Sequence, residues 1–156
     1  MINKFIAVLF TIFLVSSSLI LFPIAVIIRV VTSPFDKKLK ALHLFTSFWG
    51  MLYIWTMPAW KLNTLGRDKI DKNQTYVIVS NHQSQLDILA SFSIFTPFKW
   101  VSKIEVFSVP LMGWNMRMNR YIKLNRGKRG SIKQMLIDSR KALSEGSSVF
   151  FFPEGT

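Results

Sequence analysis

An α/β domain behind an N-terminal hydrophobic helical anchor is the architecture that this 156-residue chain predicts, and three observations predict it. Phe5 to Ile28 contains no charged residue. From about Leu62 onward, short apolar stretches rich in β-branched and aromatic residues alternate with helical and turn signals, the pattern of strands joined by helices. No Gly/Ser-rich linker, low-complexity segment or internal repeat separates the two parts, so the anchor is expected to pack onto the domain. The expected division is residues 1–61 for membrane-anchoring helices and residues 62–156 for the α/β domain.

The uncharged segment spans about 36 Å as a helix, enough to cross a hydrocarbon core. It is long for the apolar region of a signal peptide and lacks an A-x-A cleavage site, so a retained anchor is expected, with Pro23 a position at which it can bend. A second apolar stretch, ALHLFTSFWGMLYIWTMPAW, lies between Lys37, Lys38 and Lys40 on one side and Lys61 and Arg67 on the other. Basic residues at both ends favour a surface-lying or re-entrant helix with both ends on the cytoplasmic side. His43, within it, is expected at the interface and not as a ligand.

Strands are expected near residues 75–80, 98–102, 121–124 and 148–152. Ser84-Gln-Leu-Asp87 has the form of a capping box and starts a helix. Ser131-Ile-Lys-Gln134 has the same form; Ile132, Met135, Leu136 and Leu143 share one face of the helix that would follow, and Gly146 offers its stop. Trp100, Trp114, Met112, Met116 and Met118 read as core or membrane-facing residues.

The formal net charge of +12 has a local origin. Arg117, Arg120, Lys123, Arg126, Lys128, Arg129 and Lys133 follow one another with no acidic residue between them. Such a block attracts anions, and beside an apolar membrane segment lipid phosphate is favoured over nucleic acid, for which no recognisable motif exists. The absence of cysteine excludes disulfides, thiolate catalysis and cysteine metal sites.

In VIVSNHQSQLDILA, residues 77–90, His82 and Asp87 stand five positions apart, which places them roughly 140° apart on a regular helix. They cannot pair along one helix face. They meet if residues 76–80 form a buried strand, His82 occupies the turn at its end, and a helix capped by Ser84 carries Asp87 in its first turn. The chain's final residues, VFFFPEGT, give a strand running into a sharp exit, where side chains and backbone N–H groups face a ligand at the carboxyl end of a sheet.

His82-x4-Asp87, followed by Phe152-Pro-Glu-Gly-Thr156, resembles the glycerolipid acyltransferase family, specifically the bacterial 1-acylglycerol-3-phosphate acyltransferases. Between them YIKLNRG, residues 121–127, is similar to a family segment ending in an aspartate–arginine pair, with Asn125 in place of the aspartate and Arg126 matching the arginine. The resemblance covers roughly residues 62–156, and the family continues past the last motif, so a fragment of a longer protein is expected.

The resemblance implies a mixed sheet flanked by helices. It also implies acyl transfer from acyl-CoA or acyl carrier protein to the free hydroxyl of lysophosphatidate, with no metal or cofactor. An alcohol needs a base to lose its proton at neutral pH, and imidazole titrates in the right range. His82 takes that role, with Asp87 orienting the ring. Ser84 is explained as a cap and is not required as a nucleophile. Arg126 is implied to bind the glycerol phosphate group, with Glu154 and Gly155 as further substrate-binding residues. The expected partners are membrane lipid, lysophosphatidate and the thioester carrier; the expected location is a bacterial inner membrane, with the domain on its cytoplasmic side. Two other readings remain open at this point. One is an acyltransferase for glycerol-3-phosphate, another lysophospholipid or the sugar amine of a lipid A type acceptor; the other is a non-catalytic basic membrane-binding module.

Overall fold

The computed structural model describes residues 2–153. Its regular elements are α1 (Ile2–Thr32), α2 (Lys40–Trp55), β1 (Val77–Val79), α3 (Gln85–Ser91), β2 (Phe98–Lys103), α4 (Met112–Met118), β3 (Ile122–Leu124), α5 (Arg129–Ser144) and β4 (Ser148–Phe151). Each expected strand is present at its expected place. The four strands pair in the order β1-β4-β2-β3, and every pairing is parallel. Parallel neighbours require long crossovers, which α3, α4 and α5 supply.

The sheet is covered most fully at its centre, where β2 and β4 lie, whereas Val77 and Val79 of β1 are 55% and 53% exposed. Phe98, Trp100 and Phe150 are buried at the sheet, in one cluster with Phe107, Phe92 and, from α2, Met51 and Ile54. Thus α2 is sandwiched between α1 and the sheet. Leu44, Phe48 and Trp55 form its exposed side.

This placement corrects the reading of His43 as an interfacial residue. His43 is only 1% exposed, its ring meets Phe98 edge-on with centroids 4.4 Å apart, and its Nδ1 lies 2.9 Å from the Tyr121 hydroxyl. Burial, and then the nearby Lys99 charge, lower its pKa to about 3, while burial raises that of Tyr121, so both are neutral. Sequence neighbours on a helix lie about 100° apart, so an exposed Leu44 is compatible with a buried His43.

Helix α1 runs unbroken through Pro23 and is long and apolar enough to cross a membrane. Thr11, Ser16, Ser17 and Ser18 return their hydroxyl protons to carbonyls four residues earlier, which satisfies them on an apolar helix. The helix also lies along the domain. Phe10 packs on Trp60 and Tyr53, Phe22 on Trp114, and Ala25 is fully buried against α2. Contact therefore extends from Phe10 to Ile28, about 27 Å of helix. A buried polar cluster joins the two helices: the Tyr53 hydroxyl accepts from Trp49 Nε1 at 2.6 Å and lies 3.2 and 3.1 Å from Ser17 and Ser18.

A second correction concerns α5. The helix starts at Arg129, two residues before the expected cap, and its N-cap is Lys128 with no side-chain cap. Ser131 Oγ instead accepts the Asn125 N–H at 2.7 Å, fastening the exit of β3, and Gln134 bonds Asp138 at 2.9 Å. With the helix begun at Arg129, Ser131 lies inside its first turn and not at the cap position. The helix stops at Gly146, as expected, where φ is +75°, a conformation that glycine adopts without strain.

Candidate active site

Strands β1 and β4 are adjacent and parallel, with Val79 opposite Phe151, so their carboxyl ends lie side by side. His82 follows the first and Phe152-Pro153 the second. The two sequence motifs therefore meet at one edge of the sheet.

The turn after β1 is held by α3's own first turn. Ser84, in extended conformation at the N-cap, accepts the Leu86 N–H at 3.2 Å. Asp87 Oδ2 accepts the N–H groups of Gln83 at 2.6 Å and Ser84 at 2.7 Å. The same oxygen stands 3.4 Å from His82 Nδ1, with the His82 side chain 12% exposed and that of Asp87 34%. The backbone N–H groups of Ser84 and Gln83, and then His82, hold the Asp87 carboxyl below its usual pKa. Asp87 thus caps the helix and faces the imidazole at once. On its flat side the imidazole stacks on Phe152, with centroids 4.2 Å apart and planes 14° apart. Phe152 in turn packs on Trp100 and Phe150.

A carboxylate beside Nδ1 favours the tautomer with the proton there, which makes Nε2 the unprotonated, basic nitrogen. That is the form a general base needs.

Arg126 is exposed just beyond β3, at the same end of the sheet as His82. In the order β1-β4-β2-β3 it lies three strand spacings away, about 14 Å. The Asn125 side chain accepts the Gly127 N–H at 3.1 Å, turning the chain after β3. Glu154 and Gly155 lie outside the described residues. Sequence reasoning passed over two residues here. Phe152 was quoted in a motif without a role, and Lys103, exposed at the last position of β2, is one strand nearer to His82 than Arg126 is. A cation ending a parallel strand was the available signal for Lys103.

The basic block that is continuous in sequence is divided in space. Arg126 lies beyond the carboxyl end of β3, whereas Arg117, Arg120 and Lys123 line a cleft with Lys99, Tyr121 and Ser147 at the strands' amino ends.

Residues 61–156 match the family model described as acyltransferase. The chain is 36% identical over 141 residues to a 1-acyl-sn-glycerol-3-phosphate acyltransferase of Chlamydomonas reinhardtii, a match covering 89% of this chain and 42% of that protein. It is 37% identical over 124 residues to the chloroplastic 1-acyl-sn-glycerol-3-phosphate acyltransferase LPAT1 of Arabidopsis thaliana, covering 79% of this chain and 34% of that one. The chain thus spans well under half the length of these curated relatives. Its fold is that of the crystal structure of the 1-acyl-sn-glycerophosphate acyltransferase PlsC from Thermotoga maritima, with a TM-score of 0.69, 19% identity, and coverage of 98% of this chain and 62% of that one. With a family match over residues 61–156, on a sheet that sets a His-x4-Asp turn beside a Phe-Pro strand exit, the chain belongs to the acyltransferase family.

Proposed function

We propose that this chain carries the catalytic base of a 1-acylglycerol-3-phosphate acyltransferase, which transfers an acyl group from acyl-CoA or acyl carrier protein to lysophosphatidate and forms phosphatidate. The observation that carries the proposal is Asp87 Oδ2 held by two backbone N–H groups and facing His82 Nδ1. The relatives' names supply the substrate class.

In this reading, His82 Nε2 removes the proton of the acceptor hydroxyl as the oxygen attacks the thioester carbonyl. Asp87 stabilises the imidazolium that forms. The tetrahedral intermediate collapses with loss of the thiolate, and the imidazolium returns the proton to sulfur. No enzyme nucleophile takes part. Lys103 and Arg126 are the cations at this end of the sheet that suit the acceptor's phosphate, and Glu154 and Gly155 are assigned to the substrate-binding exit of β4.

The outward side of α1 exposes Ile12, Leu19, Ile20, Ile27 and Val31, while its inward side packs along the domain. That supports burial of α1 along a membrane surface, where the acceptor and product reside, with the basic flanks on the cytoplasmic face. Relatives occur in a bacterium, Pseudomonas aeruginosa, and in chloroplasts, so kinship does not choose among membranes. The bacterial inner membrane belongs to this proposal.

The test is lysophosphatidate-dependent thiol release from acyl-CoA by membranes containing the chain. His82→Ala is expected to lose at least about two orders of magnitude of rate. Near-normal turnover in that variant would sink the assignment.

A further inference from the structure

At the amino ends of the strands, opposite to His82, lies a cleft of about 1030 Å³. Its walls come from separate parts of the chain. Arg29 belongs to the last turn of α1, Lys37 and Lys38 to the link between α1 and α2, Arg117 to α4, Arg120 to the turn after it, and Lys141 to α5. With Lys123 of β3 and Lys99 of β2, eight basic side chains face three acidic ones. Of the acids, Asp36 is already engaged, accepting the Ala41 N–H at 2.8 Å.

The floor is built. Lys99 is 7% exposed and donates to the carbonyls of Lys38 at 3.0 Å and Asn119 at 2.8 Å, which fixes its ammonium between β2 and the helix link. Burial and the neighbouring Arg120 lower its pKa to about 8. A dense field of one sign inside low-dielectric walls raises the local concentration of the opposite charge.

The surroundings select the kind of anion. Val30, Val31 and Phe35, at the end of α1 beside Arg29 and Lys37, are 65%, 62% and 75% exposed. A ligand carrying both a phosphate and acyl chains satisfies cleft and flank together. The acceptor site is elsewhere, because β2, whose amino-terminal half borders the cleft, places about 20 Å of strand between the two ends of the sheet.

We infer that this cleft binds the phosphate head group of an anionic membrane phospholipid, as a second lipid site separate from the one at His82. It rests on the membrane contact proposed for α1. With Phe10 near one end of the sheet and Arg29 at the other, the cleft pins the far end of α1 to the bilayer, so that the helix lies along the surface and His82 faces the lipid plane.

The test uses the full chain and vesicles of phosphatidylcholine with and without phosphatidylglycerol. The wild type is expected to bind both, and the anionic vesicles at least about tenfold more strongly. Arg120→Gln/Lys123→Gln/Lys141→Gln is expected to lose most of that preference, while Lys69→Gln/Lys72→Gln/Lys133→Gln, which removes the same charge outside the cleft, keeps it. Lys141→Glu alone, on the exposed side of α5, is expected to shift binding in the same direction. Equal losses in the two triple variants, or unchanged binding of Lys141→Glu, would overturn the proposal. Release from anionic vesicles by inorganic phosphate at matched ionic strength would overturn the lipid assignment in favour of a free phosphate site. Binding to both vesicles without preference would reject this site alone, whereas binding to neither would reject the membrane reading beneath it.

Discussion

The His82 and Phe152 rings stack nearly parallel, with centroids 4.2 Å apart, and so join the turn after β1 to the exit of β4. Asp87 Oδ2 stands 3.4 Å from the histidine's Nδ1, and Phe152 covers a face of its ring. Because Phe152 also rests on Trp100 and Phe150, the position of the imidazole is referred to the core of the sheet.

Phe152→Leu keeps an apolar contact with Trp100 but removes the flat surface under the imidazole. Small displacements of a catalytic group are costly, so kcat is expected to fall about tenfold with a change of less than about twofold in the acceptor KM. Steady-state kinetics over a range of lysophosphatidate concentrations check this. A change in KM alone would show that Phe152 contacts the acceptor instead of placing the proposed base.

In the proposed mechanism Asp87 orients His82 as well as capping α3, and pH separates the two. Its carboxyl is held below its usual value by backbone N–H groups, so the ionised form favours the folded state. That contribution is present above the unfolded value of 3.8 and is lost as pH falls through the lower folded value. Asp87→Asn is therefore expected to unfold more easily than the wild type at neutral pH, with the difference shrinking on acidification. Its rate of thiol release at neutral pH is expected to drop about a hundredfold, beyond what the population of folded protein explains. Thermal unfolding at several pH values, alongside activity at a temperature where both proteins are folded, separates the two.

The parts of this fold that were legible share a cause. Phe98, Trp100 and Phe150 lie in short stretches rich in aromatic and β-branched residues, the signature of strands, and the Ser84–Asp87 capping box is a local hydrogen-bond pattern that the chain satisfies by itself. What was not legible depended on distant partners. His43 was misplaced because its apolar surroundings, Phe98 and Phe92, come from residues far along the chain. Ser131 fits a capping box equally well in sequence, but the helix starts two residues earlier, and its hydroxyl accepts the Asn125 N–H instead. The basic residues from Arg117 to Lys133 form one block in sequence, although the strand expected at residues 121–124 carries the chain from one end of the sheet to the other and so divides them.

Lys103 and Arg126 end neighbouring parallel strands, with Lys103 paired to Leu124 in the β2–β3 register. If they hold the acceptor's phosphate, Arg126→Ala is expected to lower kcat/KM for lysophosphatidate about tenfold, the scale of one exposed charge-assisted hydrogen bond. Lys103→Ala, one strand nearer to His82, is expected to lose at least as much. Turnover of an unphosphorylated monoacylglycerol should change less than about twofold in either variant. Equal losses on both acceptors would remove the phosphate from these side chains.

His43 gives the chain a pH dependence of stability remote from the candidate active site. Its pKa is about 3 in the folded protein against 6.5 when exposed, so between these values the unfolded chain binds a proton that the folded one refuses. Stability is fully present above 6.5 and falls with acidification by about 1.4 kcal/mol per pH unit until about 3. Going from pH 6.5 to 5 should therefore cost about 2 kcal/mol. Lys99, lowered to about 8, titrates outside this window. His43→Gln cannot bind the proton and keeps a polar group toward the Tyr121 hydroxyl, so it is expected to be less stable than the wild type at pH 7 and to lose this part of the acid slope. Urea unfolding in detergent micelles at pH 7, 6 and 5 measures both. The same slope in both proteins would place the acid sensitivity elsewhere and show that His43 is accessible to protons in the folded state.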